Sequence, residues 1–151
     1  MYYDDIIGQD DIKARLAHDV AEGHVPHARL FCGPAGCGKL ATALAYAASL
    51  LCERPVEGRP CGQCPSCKMT ARWVHPDLHF AFPVVKPRGR SGEVTSDVYL
   101  DRWREQLCRT PYFDMADWLR AMDVENQQAM IYAAESDAIV QRLSLTASRG
   151  G

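Results

Sequence analysis

Apolar residues recur along the chain with spacings that predict alternating helices and short strands. Ile12, Leu16 and Val20 follow one another every four residues, which is the spacing of a helix with one buried face. Residues 28–32 form a short apolar run typical of a buried strand. Residues 40–51 consist mainly of alanine and leucine, the strongest helix formers. The first third of the chain therefore predicts helix, strand and helix in that order.

The later part of the chain repeats this alternation less regularly. Residues 78–82 alternate in character and predict a second strand, whereas residues 83–96 are rich in proline, glycine and basic residues and predict a loop. Residues 97–108 and 114–122 predict amphipathic helices. Residues 135–146 predict a last helix, with Ile139, Val140 and Leu143 expected to face inward.

The segment between the first strand and the second helix fits the phosphate-binding pattern G-x-x-x-x-G-K. Glycines allow the backbone to approach a phosphate closely, and successive N–H groups at the helix start can surround an anion. An ordinary glycine-rich turn is the alternative, but the flanking strand and helix favour the phosphate loop. The residues predicted to contact phosphate are Gly33, Pro34, Gly36, Cys37, Gly38, Lys39 and Leu40.

Leu40 departs from the pattern at one position. Phosphate loops carry serine or threonine after the lysine, because the hydroxyl binds Mg²⁺. Leucine has no oxygen, so we expect the loop to support little or no ATP hydrolysis. The residues leave open whether ATP or another phosphate ligand binds weakly or not at all.

Four cysteines form the second chemical signal. Cys61, Cys64 and Cys67 are each separated by two residues, and Cys52 precedes them at the end of the second helix. Four thiolates complete a tetrahedral shell and leave no position for water or substrate, so we predict a structural zinc ion. Scattered buried thiols are the alternative. We place the zinc module at about residues 52–67.

Composition excludes several classes of protein. A chain of 151 residues with 47% hydrophobic residues can form one domain with a core, and its net charge of −2 gives no general attraction to nucleic acid. The N-terminus lacks a secretory signal, so the seven cysteines are expected to be reduced and the protein cytoplasmic, without membrane contact.

These patterns together predict an α/β fold, namely a P-loop domain with a parallel sheet, an inserted zinc module and extra helices. No apolar run ending in paired acidic residues follows Phe82. We therefore expect residues 1–151 to be the N-terminal part of such a domain, truncated before its acidic strand. Unpaired strand edges invite self-association.

The combination of loop and cysteines resembles the N-terminal AAA+ module of bacterial DNA polymerase III clamp-loader subunits. The resemblance covers residues 6–82 best, and residues 84–128 look like a helical insertion. It is carried by Gly8-Gln9, His27 to Phe31, Gly33 to Lys39, the four cysteines and His75-Pro76-Asp77-Leu78.

Two subunit types share this module, and Leu40 is similar to the delta-prime type rather than to the ATP-hydrolysing gamma/tau type. The resemblance implies a stator that helps load the sliding clamp onto primed DNA during replication, together with delta and gamma/tau subunits. The chain would be part of the polymerase III holoenzyme without a catalytic residue of its own. The alternatives are an active gamma/tau-type ATPase, a stand-alone P-loop kinase and a zinc-dependent reader of nucleic acid.

Overall fold

A computed structural model of the chain describes residues 1–89 and 91–144. Arg90 of the predicted basic loop and the end of the predicted last helix lie outside these residues. No helix in the described ranges is long and apolar enough to cross a bilayer. The helices are α1 (Asp10–Ala21), α2 (Lys39–Leu50), α3 (Pro65–Thr70), α4 (Leu100–Arg109), α5 (Met115–Ala121) and α6 (Ala133–Leu143), with 3₁₀ turns at Tyr3–Asp5 and Ser96–Tyr99.

The described residues form two compact units, residues 1–78 and residues 79–144. In the first unit, α1 and α2 pack together with the N-terminal 3₁₀ turn. Gly58 approaches α1 so closely that a Cβ atom at this position would lie 1.7 Å from the Ala17 carbonyl oxygen. The buried core of this unit consists of Tyr3, Ile6, Leu16, Ala17, Ala41, Ala45 and Tyr46.

An aromatic cluster forms the core of the second unit. The Phe82 and Trp103 rings stack with centroids 4.2 Å apart, and the Trp118 ring meets Phe82 edge-on at 5.2 Å. The Trp118 indole N–H donates to the Pro83 carbonyl oxygen at 2.7 Å. Helices α4 and α5 supply the two tryptophans, so each of the two predicted amphipathic helices buries a tryptophan in this core.

The predicted α/β fold with a parallel sheet is wrong for the described residues. Residues 1–89 and 91–144 contain six α-helices and only two isolated antiparallel bridges, Val56 with Arg59 and Val84 with Met130. Neither residues 28–32 nor residues 78–82 form a strand. The strand edges through which self-association was expected are therefore not formed.

The physical reason is that an apolar run needs a hydrogen-bonding neighbour before it becomes a strand. Leu30 in the first run is 85% exposed. In the second run, the backbone of Phe82 bonds to a side chain, because its N–H donates to Ser96 Oγ at 2.9 Å, and its carbonyl oxygen lies 3.2 Å from the same Oγ. The aromatic ring is buried, but the backbone has no ladder partner.

Helix α6 also has an orientation opposite to the predicted one. Ile139, Val140 and Leu143 are exposed, with Leu143 at 79%. Glu135 is buried instead, and its Oε2 accepts from the Ser96 N–H at 2.6 Å and the Ser96 hydroxyl at 2.8 Å. Because a buried carboxylate requires donors, these bonds fix which face of α6 packs inward.

Candidate metal centre and phosphate loop

The four predicted cysteine ligands lie together in the first unit. Their sulfur atoms all lie within 4.8 Å of one another, and the Cys61 and Cys67 sulfurs are 4.0 Å apart. A tetrahedral zinc–thiolate centre with 2.3 Å bonds requires sulfur–sulfur distances of about 3.8 Å. The cluster therefore fits one tetrahedral metal ion after shifts of less than about 1 Å.

Local backbone structure places each sulfur. Cys52 follows α2 directly, and its sulfur accepts the Cys61 N–H at 3.3 Å. Cys64 is the N-cap of α3, with its sulfur accepting the Cys67 N–H at 3.3 Å and Pro65 starting the helix. These N–H donors compensate thiolate charge, as hydrogen bonds to metal ligands commonly do.

The thiols differ in their tendency to ionise. Backbone N–H bonds from Gln63 and Cys64 lower the pKa of Cys61 to about 6. Burial raises the pKa of Cys52 and of Cys67. A metal ion must therefore displace protons from the buried thiols, whereas Cys61 offers a thiolate at neutral pH.

A buried polar network supports the segment that carries the four cysteines, residues 52–67, which we call the predicted zinc knuckle. Sequence reasoning did not find this network. Ser66 and His75 are both buried, and His75 Nε2 lies 3.2 Å from Ser66 Oγ. The Ser66 hydroxyl donates to Glu53 Oε1 at 2.9 Å, and the Asp77 N–H donates to His75 Nδ1 at 3.2 Å. The sequence feature that could have indicated this network is Ser66, a polar residue between Cys64 and Cys67.

Two glycines of the predicted phosphate loop have left-handed backbone conformations. Gly36 and Gly38 have φ angles of 76° and 84°, which lie in the left-handed region that favours glycine. Gly38 is the N-cap of α2, so Lys39 begins the helix. The loop borders a cleft of about 290 Å³.

The Lys39 ammonium group is bound by its own loop. It donates to the Gly33 carbonyl at 2.9 Å and to the Pro34 carbonyl at 2.6 Å, and it lies 3.8 Å from the Cys37 sulfur. A phosphate in the cleft would have to compete with these carbonyl oxygens for the ammonium group.

The first turn of α2 offers a poor substitute for the missing hydroxyl. Leu40 is half-buried. The nearest hydroxyl along this helix belongs to Thr42, which is 4% exposed and donates to the Gly38 carbonyl at 2.9 Å. The loop thus has the lysine side chain and the glycine backbone of the phosphate-binding pattern. The first turn of α2, however, has no free hydroxyl for a metal ion.

The cleft contains only part of the predicted loop. Gly33, Pro34, Cys37 and Lys39 line it, whereas Gly36, Gly38 and Leu40 do not. Sequence reasoning missed Gln9, whose Nε2 donates to the Cys37 carbonyl at 3.2 Å and so ties the start of α1 to the loop. The other lining residues that it missed are Ile12, Phe31, Cys32 and Thr42.

Comparison with known proteins gives matches to several subunits of DNA polymerase III. The chain is 51% identical over 57 residues to DNA polymerase III subunit delta′ of Pseudomonas aeruginosa, covering 38% of this chain and 17% of that protein. It is 41% identical over 63 residues to subunit gamma/tau of Mycobacterium bovis, covering 42% and 11%. It is 38% identical over 64 residues to subunit tau of Escherichia coli, covering 42% and 10%.

These matched stretches span less than one fifth of each of the three relatives. No solved structure matches the chain significantly. Residues 8–132, which include the loop, the four cysteines and α4 and α5, match the family described as DNA polymerase III, delta subunit. The chain therefore belongs to this family of DNA polymerase III clamp-loader subunits.

Proposed function

We propose that the chain is part of a stator-type, delta-prime-like clamp-loader subunit that does not hydrolyse ATP. The observation that carries this proposal is Leu40, which occupies the position of the Mg²⁺-binding hydroxyl at the first turn of α2. Without that ligand, the metal that neutralises charge on the transferred phosphoryl group lacks a protein anchor.

The loop keeps a residual capacity for phosphate. Its glycine backbone and Lys39 supply donors for an anion, but the carbonyls of Gly33 and Pro34 already accept from the lysine. ATP or another phosphate ligand therefore binds weakly at the predicted contact residues Gly33, Pro34, Gly36, Cys37, Gly38, Lys39 and Leu40, and no residue of the loop acts as a catalyst.

The second part of the proposal concerns metal. Cys52, Cys61, Cys64 and Cys67 hold one structural zinc ion, and four thiolates leave no open position for a reacting water. The zinc module spans about residues 52–67. Residues 84–128 form a helical insertion that contributes α4 and α5.

The partners follow from the family. The complete subunit assembles with delta and gamma/tau subunits in the cytoplasm and acts on the sliding clamp and primed DNA through that complex. What supports this assignment is the match of residues 8–132 to the family.

A gamma/tau-type ATPase is the second candidate. It is favoured by the matches to gamma/tau and tau subunits, which cover slightly more of the chain than the delta′ match. It requires Mg²⁺ to be held by another oxygen, and Thr42 Oγ1 is the nearest candidate on α2.

The dependence of ATP affinity on Mg²⁺ distinguishes the two candidates. We expect ATP titrations of the full chain to give the same weak affinity with and without Mg²⁺. Leu40→Thr restores the hydroxyl, so Mg²⁺ is expected to tighten ATP binding to this variant. Tighter binding to the unaltered chain in the presence of Mg²⁺, lost in Thr42→Val, would support the gamma/tau type instead.

A further inference from the structure

A groove of about 550 Å³ lies beside the predicted zinc knuckle, along the C-terminal part of α3. Its walls include the apolar side chains of Met69, Ala71 and Val74, and the cationic side chains of Lys68 and Arg72 also line it. Gly62 and Cys67, the latter one of the four clustered cysteines, complete the lining. No carboxylate and no aromatic ring is among its lining residues. Lys68, Arg72 and Val74 are exposed.

The end of α3 explains why the groove is apolar. The Val74 N–H donates to the Met69 carbonyl at 3.1 Å and the Trp73 N–H donates to the Thr70 carbonyl at 2.9 Å, which are the paired bonds of a Schellman motif. This motif brings the residue after the turn against the last helical turn. Val74 and Met69 therefore form two walls of one groove.

The turn residue of this motif is unusual. Trp73 has a φ of 58° and is 2% exposed, whereas this left-handed position normally belongs to glycine. An L-residue is strained in this conformation, because its Cβ comes too close to the following carbonyl oxygen. Local strain of this kind concentrates where a chain binds something, and here burial of the indole holds Val74 at the groove.

The two cations at the groove lie near the thiolates of the cysteine cluster, but no carboxylate in the part of the chain that the structure describes pairs with them. Within residues 1–89 and 91–144, neither Lys68 nor Arg72 makes an ion pair, while Arg29, Arg59 and Arg120 each do. Lys68 and Arg72 are four residues apart, which places them next to each other on the surface of a helix. One ligand with two negative charges can therefore contact both.

The chemistry of the walls discriminates between classes of ligand. Single-stranded nucleic acid uses aromatic side chains on which its bases stack, together with cations for its phosphates. The groove has cations but aliphatic walls, which suit an aliphatic side chain inserted between flanking carboxylates.

We propose that this groove docks an acidic segment of a partner protein that inserts an aliphatic side chain between Met69 and Val74, with its carboxylates on Lys68 and Arg72. The segment belongs to another chain of the replication assembly. The site is separate from the phosphate loop, and it does not depend on which subunit type the protein represents.

The test uses the zinc-loaded full chain with labelled methyl groups and three probes. The first is a synthetic peptide with two leucines flanked by glutamates, the second has the same leucines flanked by lysines, and the third is a short oligothymidylate. Only the glutamate peptide is expected to shift the methyl resonances of Met69 and Val74. Lys68→Glu/Arg72→Glu should lower the affinity for the glutamate peptide by at least about tenfold, because like charges then face each other.

Matched variants separate docking from folding and from net charge. Arg15→Glu/Lys86→Glu makes the same change in charge at exposed positions outside the groove and should alter the affinity by less than about twofold. Zinc content reports folding, because the cations also lie near the thiolates. If the charge-reversed variant loses zinc, Val74→Ser serves instead, because it changes only the exposed apolar wall of the groove. Val74→Ser should still lower the affinity for the glutamate peptide.

The proposal is overturned if the glutamate peptide leaves Met69 and Val74 unshifted. It is equally overturned if the lysine peptide shifts them as strongly, or if oligothymidylate shifts the same resonances and displaces the peptide. If the glutamate peptide binds Val74→Ser as tightly as the unaltered chain, no aliphatic side chain inserts against Val74, and the proposal is overturned.

Discussion

The Ser66 hydroxyl and the His75 imidazole form a buried pair whose hydrogen bonds run in one direction. The Asp77 N–H donates to His75 Nδ1, so the ring proton is on Nε2, 3.2 Å from Ser66 Oγ. The Ser66 hydroxyl in turn donates to Glu53. Nε2 therefore has no lone pair for the serine proton, and the pair supports the predicted zinc knuckle rather than activating a nucleophile.

This network gives the first prediction. Ser66→Ala should lower the free energy of unfolding by about 1–3 kcal/mol, because it removes a partner of both His75 and Glu53 in a buried setting. Ser49→Ala is the matched control, since that buried hydroxyl donates to the Ala45 carbonyl within its own helix, and its cost should be smaller. Urea unfolding of zinc-loaded protein measures both; equal costs would contradict the structural role of the network.

The second prediction concerns the left-handed turn at Trp73. Glycine normally destabilises a protein relative to alanine, but here Trp73→Gly should be more stable than Trp73→Ala by about 1 kcal/mol, because glycine carries no Cβ penalty at positive φ. Both variants lose the buried indole and fall below the unaltered chain. Thermal unfolding of the pair decides this, and an alanine variant as stable as the glycine variant would mean that the turn is unstrained.

The third prediction concerns Glu135 in the second unit. Glu135→Ala should cost about 1–3 kcal/mol, because the Ser96 N–H loses its buried acceptor, whereas the Ser96 hydroxyl still has the Phe82 carbonyl within reach. Glu135→Gln keeps an acceptor oxygen and should cost only about 1 kcal/mol. The indole N–H resonances of Trp103 and Trp118, followed during urea unfolding, report this unit separately from Trp73 of the first unit. Equal effects of the two variants would show that Ser96 does not need that acceptor.

Local features were predictable from the sequence, whereas partners in space were not. The helix at residues 40–51 and the clustering of the four cysteines each depend on residues near in sequence, and the structure confirms them. The sheet was wrong because apolar runs at residues 28–32 and 78–82 indicate burial without specifying a ladder partner.

The inward face of α6 was wrong for a related reason. Helical periodicity identifies an apolar stripe but treats a glutamate as solvent-facing, and the two donors that bury Glu135 come from Ser96, 39 residues earlier. The Trp73 turn could not be predicted either, because a left-handed residue at the end of a helix is usually glycine or asparagine, and a sequence pattern therefore predicts such an end only at those residues. Such features depend on contacts that a local pattern does not contain.

The fourth prediction concerns protons released by zinc binding. Cys61 has a pKa of about 6 in the metal-free chain, so it is ionised at pH 7 and protonated at pH 5. Each protonated thiol releases a proton to bind metal. Zinc titrations in buffers of different ionisation enthalpy should therefore show about one more proton released at pH 5 than at pH 7, and weaker binding. An unchanged proton count would contradict the lowered pKa of Cys61.

The central claim is that this subunit contributes no ATP hydrolysis of its own. The most direct measurement is steady-state ATP turnover by a clamp loader assembled with the complete subunit, either unaltered or carrying Lys39→Ala in this subunit alone. We predict the same turnover in both assemblies, because Leu40 leaves the loop without a metal-binding hydroxyl. A loss of turnover on Lys39→Ala, in an assembly that forms normally, would contradict the stator assignment.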